Sequence, residues 1–146
     1  MSLAIREQLH VALASRLATA LPDFSQHRNP QRAITGSDIP AVVLLDGGQS
    51  RLRNISGVAE YTLRPSIEIY VGSVNSGPAL SAAYAGIVGA LTADVTLGGL
   101  AKFLTEGDLS EPETVRDEGH EPFMGAALSI EVEYWTLETD VTQLGP

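Results

Sequence analysis

Hydrophobic and polar residues follow two rhythms along this chain, and the changes of rhythm mark its elements. Between Leu3 and Leu21, Ile5, Leu9, Leu13 and Leu17 recur at every fourth position with Ala12 and Ala20 beside them. That spacing predicts an amphipathic helix, which Pro22 stops. Arg16 falls inside the apolar arc and spoils the stripe. Residues Asp23 to Pro40 are polar and broken by Pro30 and Gly36, so they read as a loop with room for one short strand. Ala41-Val42-Val43-Leu44-Leu45 predicts a short apolar strand ended by Asp46-Gly47-Gly48, the glycines being read as turn residues that take positive φ cheaply. From Glu60 to Gly72 the period drops to two. Tyr61, Leu63, Ile67, Ile69 and Val71 share one parity, and Glu60, Thr62, Arg64, Ser66, Glu68 and Tyr70 share the other. One face of this strand is expected to be buried and the other to meet water or a partner. Pro65, which has no N–H to donate, predicts an edge position or a bulge.

A second helix is predicted from Pro78 to Ala93, with Ser76 or Gly77 as its cap and Leu80, Tyr84, Ile87, Val88 and Leu91 as its apolar stripe. Gly98-Gly99 marks the turn out of it. Short strands are expected at Leu100–Leu104 and Thr114–Asp117, joined by the acidic segment from Glu106 to Glu113. In the closing strand Leu128, Ile130, Val132 and Tyr134 alternate with Ser129, Glu131, Glu133 and Trp135. The order predicts a single α+β domain over residues 1–146. It would be a two-layer sandwich, a mostly antiparallel sheet of about five strands with two helices packed on one face.

Composition narrows the functions open to such a domain. The chain has 146 residues, 44% of them hydrophobic and 18% charged, within the globular range. It has no cysteine, which excludes disulfides and thiol nucleophiles and fits a reducing compartment. Arg6, Glu7, Gln8 and His10 interrupt the apolar residues near the N-terminus, so no signal-peptide core is expected there, and no run is long enough to span a membrane. Asn54-Ile55-Ser56 fits a glycosylation acceptor and is read as coincidence. The net charge is −9, and the nearest approach to a basic cluster is Arg51 and Arg53 about Leu52, read as a solvated loop. Gripping a phosphate backbone needs more than that.

The residues offer little catalytic chemistry. His10, His27 and His120 lack metal-ligand spacing, His10 being expected at a helix border and the other two in polar loops. No phosphate loop, GxSxG or GxGxxG occurs, and a dispersed Ser–His–Asp arrangement has nothing to support it. Glu60 with Glu68, and Glu131 with Glu133, could pair for acid–base work but lie on the polar parity, where a solvated face is favoured. No catalytic residue, cofactor or metal ligand is therefore assigned, and the chain is not expected to be an enzyme. Two features suggest contact instead. Ala82, Gly86, Gly89 and Ala93 line the back of the second helix, where aligned glycines would admit another backbone or merely face solvent. Trp135 and Tyr70 lie on the nominally polar face of their strands, either as interface aromatics or as aromatics covered by a loop.

These segments together resemble the tail terminator, or tail completion, proteins of long-tailed phages and phage-derived particles. The resemblance covers most of the chain and is one of pattern. It runs through the opening helix AIREQLHVALASRLATALP, the strand IPAVVLL, the pair RPSIEIYVGS and GPALSAAYAGIVGALTAD, and the turn LGGLAKFLTEGD. It closes on ALSIEVEYWTLETD, where Tyr134 and Thr136 match the family's Y-x-T ending. The resemblance implies a structural subunit of a homo-oligomeric ring of about six copies. Such a ring caps the tail tube and joins it to the head and neck. Its implied partners are copies of itself, tail-tube and neck proteins, and DNA only as passing cargo. Its implied place is the host cytoplasm during assembly and then the virion. The expected channel lining is drawn from Glu60, Glu68, Glu131 and Glu133 and from Glu106, Asp108, Glu111 and Glu113, since carboxylates repel passing phosphates. Other readings are a different head–tail joining protein, or a small ligand-binding or enzyme domain that uses the acidic sheet face.

Overall fold

The polar stretch that separates the first helix from the first apolar run turns out to seed the sheet. In the computed structural model, which describes residues 3–146, helix α1 (Ile5–Ala20) is followed by strand β1 (Ser25–Arg28) and a single 3-10 turn at Gly36–Asp38. Then come the long strands β2 (Ala41–Ile55) and β3 (Val58–Gly72), helix α2 (Ser76–Thr92), and short strands β4 (Phe103–Leu109) and β5 (Glu113–Val115). The long β6 (Phe123–Leu137) and β7 (Asp140–Leu144) close the chain. The fold is α+β, with two helices and one mostly antiparallel sheet of seven strands ordered β1-β2-β3-β6-β4. Only β1 runs parallel to its neighbour, β2. β3 takes one side of β6 along its length, which leaves the other side to β5, β4 and β7 in turn.

The alternation in β3 and β6 is the core. Ile67, Ile69, Val71, Leu128, Ile130 and Val132 are all buried and form one cluster with Ile5, Leu9, Leu13 and Leu17 of α1 and Leu80, Ala83, Ile87 and Leu91 of α2. Each helix therefore lays its apolar stripe on the same sheet face. Arg16, the blemish in the first stripe, has a use. Its guanidinium donates to the Ala90 and Asp94 carbonyls and to the Asp94 carboxylate at the end of α2, where a cation suits the exposed carbonyls. Asp94 also accepts from Thr96 and from the Gly98 amide. These bonds hold its carboxyl well below the usual carboxylate range, the Thr96 hydroxyl contributing most.

Several expectations need correction. The run that begins at Ala41 does not end at Asp46 but continues to Ile55, so Arg51 and Arg53 belong to a strand and not a loop. Gly47-Gly48 is not a turn. The turn is Ser56-Gly57, whose φ values of 51° and 81° suit a two-residue hairpin with strands of right-handed twist. Of the two places expected for Pro65, an edge or a bulge, the second holds, because β3 is paired on both sides. It lies opposite a bulge in β2, where Leu45 pairs Ser66 but Gly48 pairs Arg64. Part of the acidic segment is strand β4 and not a linker. Helix α2 starts at Ser76 behind Asn75, which takes positive φ, and Asn75 is the cap in place of Ser76 or Gly77.

Truncating Ile69 or Ile130 to alanine is expected to lower unfolding free energy by about 2–5 kcal/mol, since each removes transfer energy and leaves a cavity. Urea denaturation followed by circular dichroism measures this, and a loss below about 1 kcal/mol would contradict the core assignment.

Candidate functional site

The bulge in β2 is where the densest polar structure of the molecule gathers. A Cβ on Gly47 would lie 2.0 Å from the Arg64 carbonyl oxygen and 2.4 Å from the Pro65 nitrogen, so only glycine lets the two strands approach there. Because Asp46 and Gly47 oppose Pro65 alone, the strand gains a residue and bends. A second shift between Arg51 and Arg53 adds to this.

Three elements brace the bend. The Arg28 guanidinium, at the end of β1, donates to both carboxylate oxygens of Glu7 on α1 and to both of Asp46, with all four bonds at 2.8 Å. Its pKa is raised by these bonds, Glu7 first, and those of Glu7 and Asp46 are lowered chiefly by Arg28. The His10 ring is fully buried beside them, not at a helix border as expected. Its Nδ1 lies 2.9 Å from the Arg6 carbonyl and its Nε2 lies 3.4 Å from the Gly47 amide. The pair is satisfied when Nδ1 carries the proton and Nε2 accepts, which is the neutral ring. Burial lowers its pKa in the same sense. Arg6 donates to the Gly47 carbonyl and to Gln49, which also accepts from Tyr134 at 2.5 Å. The Tyr134 ring stacks on Tyr61 at 5.2 Å.

Glu7, His10 and Asp46 bring their ligand atoms within 4.8 Å of one another, a spacing that could hold a metal. Arg28 already supplies the cation and engages every carboxylate oxygen, so an ion would have to displace it. The other histidines offer no better chemistry. His27 lies in β1 and its Nε2 is 2.8 Å from the Ser25 hydroxyl. That hydroxyl donates to the Asp38 carbonyl, so His27 acts as donor to it and not as base. His120 is exposed and lies 3.1 Å from Asp117.

The contact candidates divide. The Tyr70 ring packs against Gly125, where a Cβ would lie 2.6 Å from it, sits edge-on to Phe123 at 5.8 Å, and its hydroxyl donates to Glu68. Burial and Glu68 push its hydroxyl up to about 12. Trp135 is covered by Lys102, whose ammonium sits 4.4 Å from the ring centre, and by the segment around Gly145. The Trp135 ring nitrogen is buried without a partner. The two aromatics share a face but lie far apart, Tyr70 pairing Gly125 and Trp135 pairing Glu60. Along α2, Gly86 meets Leu21 and the Ala20 carbonyl at ordinary distances, Ala82 lines an apolar groove of 440 Å³ with Leu21 and Phe24, and Gly89 and Ala93 are exposed. No backbone approaches Gly89 within the subunit.

The expected channel acids also separate. Glu60 is only 4% exposed and is bonded to Arg53, so it cannot line a channel. Glu131 lies 3.6 Å from Arg64, Glu68 accepts from Tyr70, and Glu133 is half-buried beside Thr62. Glu106, Asp108, Glu111 and Glu113 are exposed on β4, β5 and the link between them. Among the described residues no lysine, arginine or histidine pairs with these four.

Sequence reasoning missed the end of the β2–β3 hairpin. Ile55, Val58 and Leu137 lie in one cross-strand row, with Leu52 just before them. Leu52 is 49% and Ile55 46% exposed, and Leu137 is exposed too. The dipeptide Ser56-Gly57 was the available signal. No helix among the described residues is long and apolar enough to cross a membrane. The chain matches no family model and no curated protein.

Two outcomes follow. A folded-state pKa below the ordinary 6.5 means that the unfolded chain binds the His10 proton first. Stability is then full above pH 6.5, falls as pH drops below it and stops falling on this account below the folded pKa, after which Glu7 and Asp46 continue the loss in stronger acid. His10→Ala should lower stability by about 1–3 kcal/mol by leaving the buried Gly47 amide unpaired. It should also flatten the profile just below pH 6.5, which denaturation at stepped pH would show. Gly89→Ala, placed in open space on a helix, should raise stability by about 1 kcal/mol, read as a higher urea midpoint.

Proposed function

We propose that this chain is a structural subunit that assembles with copies of itself into a closed ring, as phage tail terminators do. In that role it caps a tail tube, joins it to head and neck proteins, and lets DNA pass without gripping it. The observation that supports the reading is the end of the three-stranded β2–β3–β6 arm, which presents Leu52, Ile55 and Leu137 to solvent. Surface leucines scattered singly mean little, but a cross-strand apolar row at the end of a braced arm is suited to a protein contact. The rest of the molecule agrees with a structural role. Its buried histidine is held by hydrogen bonds to the backbone, and in the carboxylate–histidine cluster found among the described residues Arg28 bonds both carboxylates. The −9 charge disfavours retention of nucleic acid.

The test is the mass of the native particle. Light scattering after size exclusion should find about six times the 15.4 kDa chain, and negative-stain images should show closed rings. A monomer at every concentration would overturn the proposal.

A further inference from the structure

Phe123 is only 2% exposed, yet it stands outside the cluster that the helices cover. It pairs Gly72, two residues beyond Tyr70, so it lies with Tyr70 on the face of the sheet turned away from the helices. Tyr70 meets it edge-on at 5.8 Å. The rest of its cover comes from loops. With Gly36, Ile39, His120 and Pro122 it lines a cavity of about 250 Å³. Residues 116–122 form the strap between β5 and β6, and this strap lies against the turn at Gly36–Asp38 and over the aromatic.

The turn and the strap are held very differently. The turn is tied internally, its Asp38 carboxylate accepting from the Thr35 amide and hydroxyl and from both terminal nitrogens of Arg32. The strap hangs from β5, which is three residues long. Among the described residues one hydrogen bond fastens it to the turn, from the Gly36 amide to the Asp117 carboxylate at 2.7 Å. Beside that bond the His120 side chain packs on Gly36 so closely that a Cβ there would overlap it. Asp117 also shapes the strap itself. Its carbonyl accepts from the His120 amide, and its carboxylate lies 3.1 Å from His120 Nδ1. We propose that residues 116–122 are a lid, latched by Asp117 on Gly36, that opens locally and uncovers Phe123 beside Tyr70 on the outer sheet face. A mostly exposed segment with a single bond to the body opens at lower free energy than the core does. The open form gives this polar face an apolar patch that the closed form hides. The lid stands whether or not copies of the chain close into a ring.

The chain has no cysteine, so one introduced thiol reports alone. Phe123→Cys puts that thiol under the lid, and its reaction with a thiol reagent is timed in the folded full chain, with a thermal melt as the control. Adding Asp117→Ala should speed the reaction about tenfold and leave the melt in place, because local opening then costs less. Adding Gly36→Ala in its stead, which pushes His120 away from the other side of the contact, should do the same. An unchanged rate with either addition overturns the lid. So does a faster reaction that comes only with a lower melt, since the strap would then open with the whole fold. If Phe123→Cys fails to fold, the comparison is read with an apolar fluorescent dye on chains that keep Phe123. Asp117→Ala should then bind more dye than the wild-type chain, and equal binding overturns the lid.

Discussion

Arg28 stands between Glu7 of α1 and Asp46 of the β2 bulge, and its four bonds to their carboxylates decide how the long hairpin leaves the body of the sheet. Gly47 makes the bend sterically possible by letting β2 approach the Arg64–Pro65 backbone. His10 and Arg6 then satisfy the two backbone groups of Gly47, which would otherwise be stranded beside the core. The first helix therefore does two jobs. Its apolar stripe covers the sheet, and its polar residues near the N-terminus grip the bulge. Without the brace, the far half of β2 would be held by its pairing to β3 alone, while β3 stays paired to β6.

The elements that depend on periodicity were legible in the sequence. Both helices, β3 and β6 announce themselves by spacing, and Ile67, Ile69, Leu128 and Ile130 face the helices as that spacing requires. What was not legible depends on pairing between distant segments. Gly47 reads as a turn until Arg64 and Pro65 are set against it, and nothing local in Gln26-His27-Arg28 shows that Arg28 will meet Glu7 and Asp46. Glu60 reads as a solvated acid by parity, yet Arg53 and the neighbouring Trp135 bury it because a second irregularity in β2 brings Arg53 opposite. Trp135 reads either as an interface aromatic or as one covered by other parts of the chain, and only the fold shows Lys102 and the last strand lying against it. Strand β7 carries too short a pattern to be seen alone.

The same folding sorts the charges. Acids on the outer sheet face find arginines on β2 and β3, as Glu60 does with Arg53 and Glu131 with Arg64. The acids of β4 and β5 find none among the described residues, so the negative field of the molecule issues from one edge. Exposed pairs contribute little to stability, and their placement matters more for which surfaces can approach. The tail-terminator reading is a proposal that draws on the resemblance in pattern and on the exposed apolar row at the hairpin end.

Amide hydrogen exchange across the hairpin in Arg28→Gln, compared with the wild-type chain, tests the brace most directly. The account predicts faster exchange in residues 49–60 while α2 and the centre of β6 keep their protection, because the arm loosens and the core does not. Equal protection of the hairpin in the two proteins would contradict it and would show that the bulge holds its geometry without Arg28.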